Sequence, residues 1–325
     1  MHDYEEYYKL LYKKITSPTN WIFSNCDAKK IIDIKIEGSI FEKIYSLLDT
    51  VESKYEFDLQ KTLLPNYKKF VLWQKVFLGR VDNVRILVAT EFIVFCCLVD
   101  KFLDSNRFSK EEKEHICKKI KLNNFTSAIV YESTKFVELD LLLNDIRLFI
   151  LNERSNSSEK KELLNAIDKA LISEEYMYRN PLVVEDGVDL ESLHYLTDKS
   201  VEFEKAAFMI SVFGNNTDKT MQAAINVGKI FGLVDDLCDI PEDIEYKRKN
   251  SLLFLKMQLG LLSVEERMKN VLINIDEYIK ELIENLEELK VLAGKDFYEY
   301  IVNDIWEWCL GIRKLADETI DKNTN

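Results

Sequence analysis

Asp235, Asp239 and Asp243 recur every four residues in the run Gly228-Lys-Ile-Phe-Gly-Leu-Val-Asp-Asp-Leu-Cys-Asp-Ile-Pro-Glu-Asp243, where five acidic residues fall within nine positions. Carboxylates four apart share one face of a helix, where like charges repel and a bound cation relieves the repulsion. Oxygen ligands with no His or Cys pattern favour Mg²⁺ or Mn²⁺ over zinc, and Mg²⁺ shares its shell readily with substrate phosphates. The competing reading is a solvated helix end. A second element repeats the logic: Glu91 to Asp104 is strongly apolar and carries Asp100 and Asp104, also four apart, at its end. Acidic groups near a helix C-terminus meet the unfavourable end of the macrodipole, so they too call for a compensating cation.

Positioning two such ridges requires long helices, and the composition supplies them. The 325 residues include only 9 Gly and 4 Pro, too few turn formers for a many-stranded fold. Apolar residues recur at three- and four-residue intervals through roughly ten segments separated by short polar breaks, which predicts an all-α bundle. Ser109-Lys-Glu-Glu112 has capping-box spacing and predicts a helix start. Ile86 to Leu103, interrupted by Glu91, Asp100 and Lys101, predicts a buried helix rather than a membrane span. Ser263 to Leu289 predicts an amphipathic surface helix. No break has the length or composition of a linker, so one domain over 1–325 is expected. Antiparallel packing would bring both acidic ends to the mouth of one central cavity. Pro241 lacks the N–H that would pair with the carbonyl of Leu237, which predicts a kink or an end between Asp239 and Asp243. Asp235 and Asp239 are therefore the firmer ligands, with Asp243 the less certain of the three.

Charge and termini narrow the function classes. A net charge of −13 argues against a nucleic-acid surface, which needs clustered Lys and Arg, yet leaves room for a local phosphate site. Six cysteines without paired spacing read as reduced core residues. The N-terminal Met-His-Asp-Tyr-Glu-Glu is acidic where a signal peptide would be basic and then apolar, so a cytoplasmic protein without stable membrane insertion is expected.

The spacing Gly228-x-x-Phe231-x-x-Val234-Asp235-Asp236-x-x-Asp239 resembles the second aspartate-rich motif of trans-prenyl diphosphate synthases. It is similar as well to the metal triad of class I terpene synthases, whose three ligand positions fall on Asp235, Asp239 and Asp243. Asp100, Lys101 and Asp104 resemble a first motif of the DDxxD type with Lys101 in place of its second Asp. Lys199-Ser200 looks like the Lys-Thr pair that contacts diphosphate in prenyl synthases. Arg313, near the end, looks like the diphosphate donor that terpene synthases carry there, with Lys314 in place of the following Tyr. Lys247 and Arg248 stand where these families place a further diphosphate-contacting basic residue.

The resemblance spans Asp100 to Arg313 and implies the helical class I isoprenoid synthase fold, with Mg²⁺ or Mn²⁺, three ions in all, held by Asp100, Asp104, Asp235, Asp239 and Asp243. It implies a prenyl diphosphate substrate, ionisation assisted by Asp100, Asp235 and Asp239, and a homodimer as a possible assembly. Phe92, Phe95, Phe203, Phe231 and Trp306 are candidate cavity-lining residues, since aromatic faces stabilise carbocations, although each also suits plain core packing. A chain elongase needs a second diphosphate pocket, and Phe77-Leu-Gly-Arg-Val-Asp82 and Arg107 offer little toward one. A one-substrate terpene cyclase or lyase is therefore favoured. The alternatives are a divergent trans-prenyl diphosphate synthase or prenyltransferase and, from another class, a catalytically silent helical regulatory subunit.

Overall fold

The computed structural model describes residues 4–15, 42–57, 59–127, 136–153, 157–180, 190–245, 252 and 264–322. In chain order the helices are α1 (Tyr4–Ile15), α2 (Glu42–Tyr55), α3 (Gln60–Leu78), α4 (Asn83–Asp104), α5 (Lys110–Lys119), α6 (Leu122–Thr126), α7 (Val137–Asn152), α8 (Ser157–Arg179), α9 (Leu190–Ser211), α10 (Asp218–Glu245), α11 (Val264–Ala293) and α12 (Lys295–Lys322). Among the described residues there is no strand. No described helix is long and apolar enough to cross a membrane.

Local chemistry fixes the helix boundaries. Ser109 and Glu112 form the capping box read from the sequence: the Ser109 hydroxyl accepts from the Glu112 N–H at 3.3 Å, and the Glu112 carboxylate accepts from the Ser109 N–H at 2.8 Å. Asp82 caps α4 by accepting from the Arg85 N–H at 3.2 Å. Gly79 ends α3 at φ +65°, a left-handed conformation that disfavours any residue with a Cβ.

Two helices are apolar around most of their circumference and run through the interior. The helix α4 buries Phe92, Phe95, Leu98, Val99 and Phe102 completely, as its composition predicts. The helix α9 buries Ala206, Ala207, Met209 and Ile210 and packs against α3, α4, α8 and α10. The amphipathic stretch after Ser263 is α11, whose Val271, Ile275, Tyr278, Leu282, Leu286 and Leu289 form one buried stripe at three- and four-residue steps. Cys96, Cys97, Cys117 and Cys238 form no disulfide, and Cys96 and Cys117 are buried.

Of the two outcomes expected at Pro241, an end does not occur. Helix α10 runs without a break from Asp218 to Glu245. The carbonyl of Leu237, left without a helical donor by Pro241, accepts instead from the Tyr7 hydroxyl at 2.9 Å. Tyr7 lies on α1, 230 residues away in sequence, so no local pattern announces this donor.

Candidate functional site

Close helix contact creates the central feature. A Cβ added at Gly228 would lie 2.6 Å from the Val201 Cα and 2.8 Å from the Ser200 carbonyl oxygen, and one at Gly232 would lie 3.0 Å from the Ser200 Cβ. Two glycines four apart thus let α10 press against the backbone of α9. Lys199 stands immediately before that contact, and Asp235 three residues beyond Gly232. The glycines that open the acidic motif therefore set how near the lysine of α9 comes to the aspartates of α10.

The Lys199 ammonium lies 2.8 Å from Asp100 Oδ1 on α4 and 2.8 Å from Glu174 Oε1 on α8. Three helices are thereby tied at one point, and Asp235 of α10 feels the fields of Lys199, Asp100 and Lys101. Burial alone would lower the pKa of Lys199, but Asp100 and Glu174 more than offset it, so the amine sits well above its ordinary value and stays charged. Burial pushes the Glu174 carboxyl up to about 8 against the pull of Lys199, with Asp100 adding to the rise. Desolvation likewise raises Asp235 to about 6, partly opposed by Lys199, with Asp100 pushing the same way as burial. Asp235 is nevertheless exposed to solvent.

Each acidic helix end receives the cation its position demanded. Lys199 answers Asp100, while the Lys113 ammonium donates to the Leu103 carbonyl at 2.6 Å and lies in the field of Asp104. Asp104 and Lys101 are exposed. Along α10, Asp239 is half-buried and Asp243 is 7% exposed. Steps of four residues advance about 40° around a helix, so the ridge turns toward the core as it ascends.

The aromatic candidates divide. Phe92 and Phe95 have no accessible surface and pack as core, Phe95 edge-on to Phe125 at 5.8 Å. Phe203, Phe231 and Trp306 keep some surface. The ring that meets Phe231 is that of Trp308, at 5.9 Å, and Trp306, two residues earlier, lies on nearly the opposite face of α12. On its other side Phe231 is 4.9 Å from the ammonium of Lys69, which is buried and pairs with Glu204 at 2.7 and 2.9 Å. Glu174, Lys69, Glu204 and Trp308 are absent from the sequence reading. Glu174 sits in an ordinary Ser-Glu-Glu-Tyr stretch, and only the fold reveals that it faces Lys199. Lys247 and Arg248 lie outside the described residues, as does the side chain of Arg313 on α12.

Carboxylates are the donors a hard divalent ion takes, and a cation would relieve the rise that burial and Asp100 impose on Asp235. Among the described residues no three His, Cys, Asp or Glu side chains are gathered closely enough to hold an ion by themselves. An ion held here would need further oxygen ligands from outside the chain.

No family model matches the sequence, and no curated protein matches it at a significant level. Solved structures do match. A cucumene synthase variant, 10% identical, aligns over 87% of this chain and 96% of its own with a TM-score of 0.50. A linalool/nerolidol synthase from Streptomyces clavuligerus is 11% identical over 87% of this chain and 97% of its own, with a TM-score of 0.49. A geranylgeranyl pyrophosphate synthetase from Pyrococcus horikoshii is 15% identical over 96% of this chain and 93% of its own, with a TM-score of 0.41. At such identities likeness speaks to fold alone, and the fold of this chain is the all-α class I isoprenoid synthase type.

Proposed function

We propose that this chain is a class I terpene synthase, acting as a single domain on one allylic prenyl diphosphate in the presence of Mg²⁺ or Mn²⁺. The allylic C–O bond breaks heterolytically, its electron pair leaves with the diphosphate, and the allylic cation left behind loses a proton or captures water. The observation that carries this reading is Lys199, 2.8 Å from Asp100 of one acidic helix and within electrostatic reach of Asp235 on the other. A divalent ion, when bound, would neutralise charge developing on the departing diphosphate. Asp235, Asp239 and Asp100 would hold it, with Asp104 and Asp243 as outer candidates. Lys199 is a point charge suited to diphosphate oxygens, and exchanging its hold on Asp100 for the substrate would free that carboxylate. Lys247, Arg248 and Arg313 remain candidate donors to the same diphosphate. Phe203 and Phe231, which keep some surface, are the candidates to shield a cation from water.

Of the residues offered toward a second diphosphate pocket, Arg107 is engaged with Glu56 at 2.6 Å and with the Tyr55 carbonyl at 3.1 Å. Gly79 serves as a helix cap. These engagements favour a one-substrate lyase over the elongase alternative. A second reading, a silent helical subunit, draws support from Lys101 in the first motif and from Asp100 being ion-paired to Lys199. Cytoplasmic location and a homodimer belong to the same proposal.

The deciding experiment incubates the protein with geranyl, farnesyl and geranylgeranyl diphosphates, with and without isopentenyl diphosphate. Mg²⁺-dependent release of inorganic diphosphate with a hydrocarbon or alcohol product, lost in Asp235→Ala and Asp239→Ala, is the expected result. Lengthened diphosphates would point to an elongase, and no turnover with intact partner binding to a silent subunit.

A further inference from the structure

Proline inside a helix leaves one carbonyl without a donor and pushes it outward, which ordinarily bends the helix away from that side. Here the carbonyl belongs to Leu237, between Asp235 and Asp239, and Leu237 is 1% exposed, so water has little access to it. The Tyr7 hydroxyl takes the place of the missing Pro241 N–H, at 2.9 Å in a buried setting. Tyr7 is itself 1% exposed. Burial, joined by the fields of Cys238 and neighbouring tyrosines, holds its phenol well above the ordinary value, so it stays protonated and able to donate.

Helix α1 is anchored independently of this bond. Leu11 is fully buried, Tyr8 lies edge-on to Tyr7 at 5.8 Å, and the Lys14 ammonium reaches Asp276 of α11 at 2.6 Å. A rigidly seated α1 therefore presents the hydroxyl to α10 at a fixed height. The bond falls within the segment whose straightness decides how Asp235, Asp239 and Asp243 line up.

We infer that Tyr7 is a positioning residue for the acidic ridge: its hydroxyl replaces the donor that Pro241 removes, keeps α10 helical through Asp243, and makes the N-terminal helix part of the site. The consequence for metal affinity rests on the function proposed above, whereas the replacement of one donor by another does not.

A double-mutant cycle tests it. Tyr7→Phe removes the hydroxyl and keeps the ring, while Pro241→Ala restores the backbone donor. In the native background, Tyr7→Phe should weaken Mn²⁺ binding in the presence of inorganic diphosphate by about fivefold, read by electron paramagnetic resonance, and speed amide exchange across 233–245. With Pro241→Ala present, the same change should alter Mn²⁺ affinity less than about twofold and leave exchange at the native rate. Equal effects in both backgrounds, or none in either, overturn the inference. Should Tyr7→Phe fail to fold alone, recovery in the double variant supports it and failure to recover overturns it. A wild type that binds neither Mn²⁺ nor inorganic diphosphate would defeat the proposed function, and exchange over 233–245 would still decide the role of Tyr7.

Discussion

Gly228→Ala probes the contact that brings Lys199 to Asp235. The added Cβ would stand 2.6 Å from the Val201 Cα, about 0.8 Å short of ordinary contact, and 2.8 Å from the Ser200 carbonyl oxygen. Both are backbone atoms, so α9 and α10 must part rather than rotate a side chain aside. Overpacking of this kind costs about 1–3 kcal/mol. Alanine returns about 1 kcal/mol through its helix propensity, leaving a net loss centred on about 1 kcal/mol and reaching about 2. For a chain of this length 2 kcal/mol is about 3 °C in Tm. Gly232→Ala gains the same propensity but meets only the Ser200 side chain, at 3.0 and 3.1 Å, which can yield. It should be neutral or slightly stabilising. Because Lys199 adjoins Ser200, separating the helices also displaces the ammonium, and diphosphate release should fall about tenfold in Gly228→Ala but not in Gly232→Ala. Scanning calorimetry and a diphosphate-release assay on the two variants provide the comparison. A Gly228→Ala protein as stable as Gly232→Ala would refute close backbone approach as the reason for the first glycine.

Glu174→Gln should change how stability varies with pH. A carboxyl raised to about 8 binds its proton more tightly folded than unfolded, so the native protein loses stability as pH rises from about 4.5 to 8. The glutamine variant lacks this loss and should gain on the wild type by an amount that grows across that range, on the order of 4 kcal/mol, in urea titrations at pH 5, 7 and 9; a gain that shrinks with pH would contradict the burial of Glu174. Lys69→Met removes one partner of a buried pair and leaves Glu204 uncompensated, which should destabilise by about 3–5 kcal/mol, whereas Lys69→Met with Glu204→Leu should recover most of the loss. Denaturant midpoints of the single and double variants check this.

Much of the architecture was legible because it follows from periodicity. The buried run of α4, the stripe of α11 and the capping box at Ser109 each depend on residues within a few positions of one another, and each appears where its pattern lies. The link between Asp100 and Asp235 is electrostatic and runs through Lys199 on a third helix, which neither acidic pattern announces. Partners contributed by ordinary positions were not legible either. Glu174, Lys69 and Trp308 carry no local signature, because what makes them matter is a neighbour on another helix.

Pro241 shows how a local rule leaves its outcome to tertiary structure. The missing N–H is real, and the carbonyl of Leu237 did need another donor. The rule is silent on where a donor comes from, and the helix does not end at Pro241. Once α1 packs against α11 and α12, the Tyr7 hydroxyl stands 2.9 Å from that carbonyl, so the helix continues with the carbonyl satisfied. Tertiary structure thus replaces the group that the sequence withholds, and it does so inside the segment bearing Asp235, Asp239 and Asp243. The same reasoning applies to Lys199. An acidic helix end predicts a cation, and here the chain supplies its own, held between Asp100 and Glu174. A ligand arriving at Asp100 must therefore compete with an internal ammonium, so ligand affinity at this aspartate depends on where Lys199 goes when it is displaced. A diphosphate beside the metal offers that destination, which is why metal and diphosphate should bind this chain together more tightly than either binds alone.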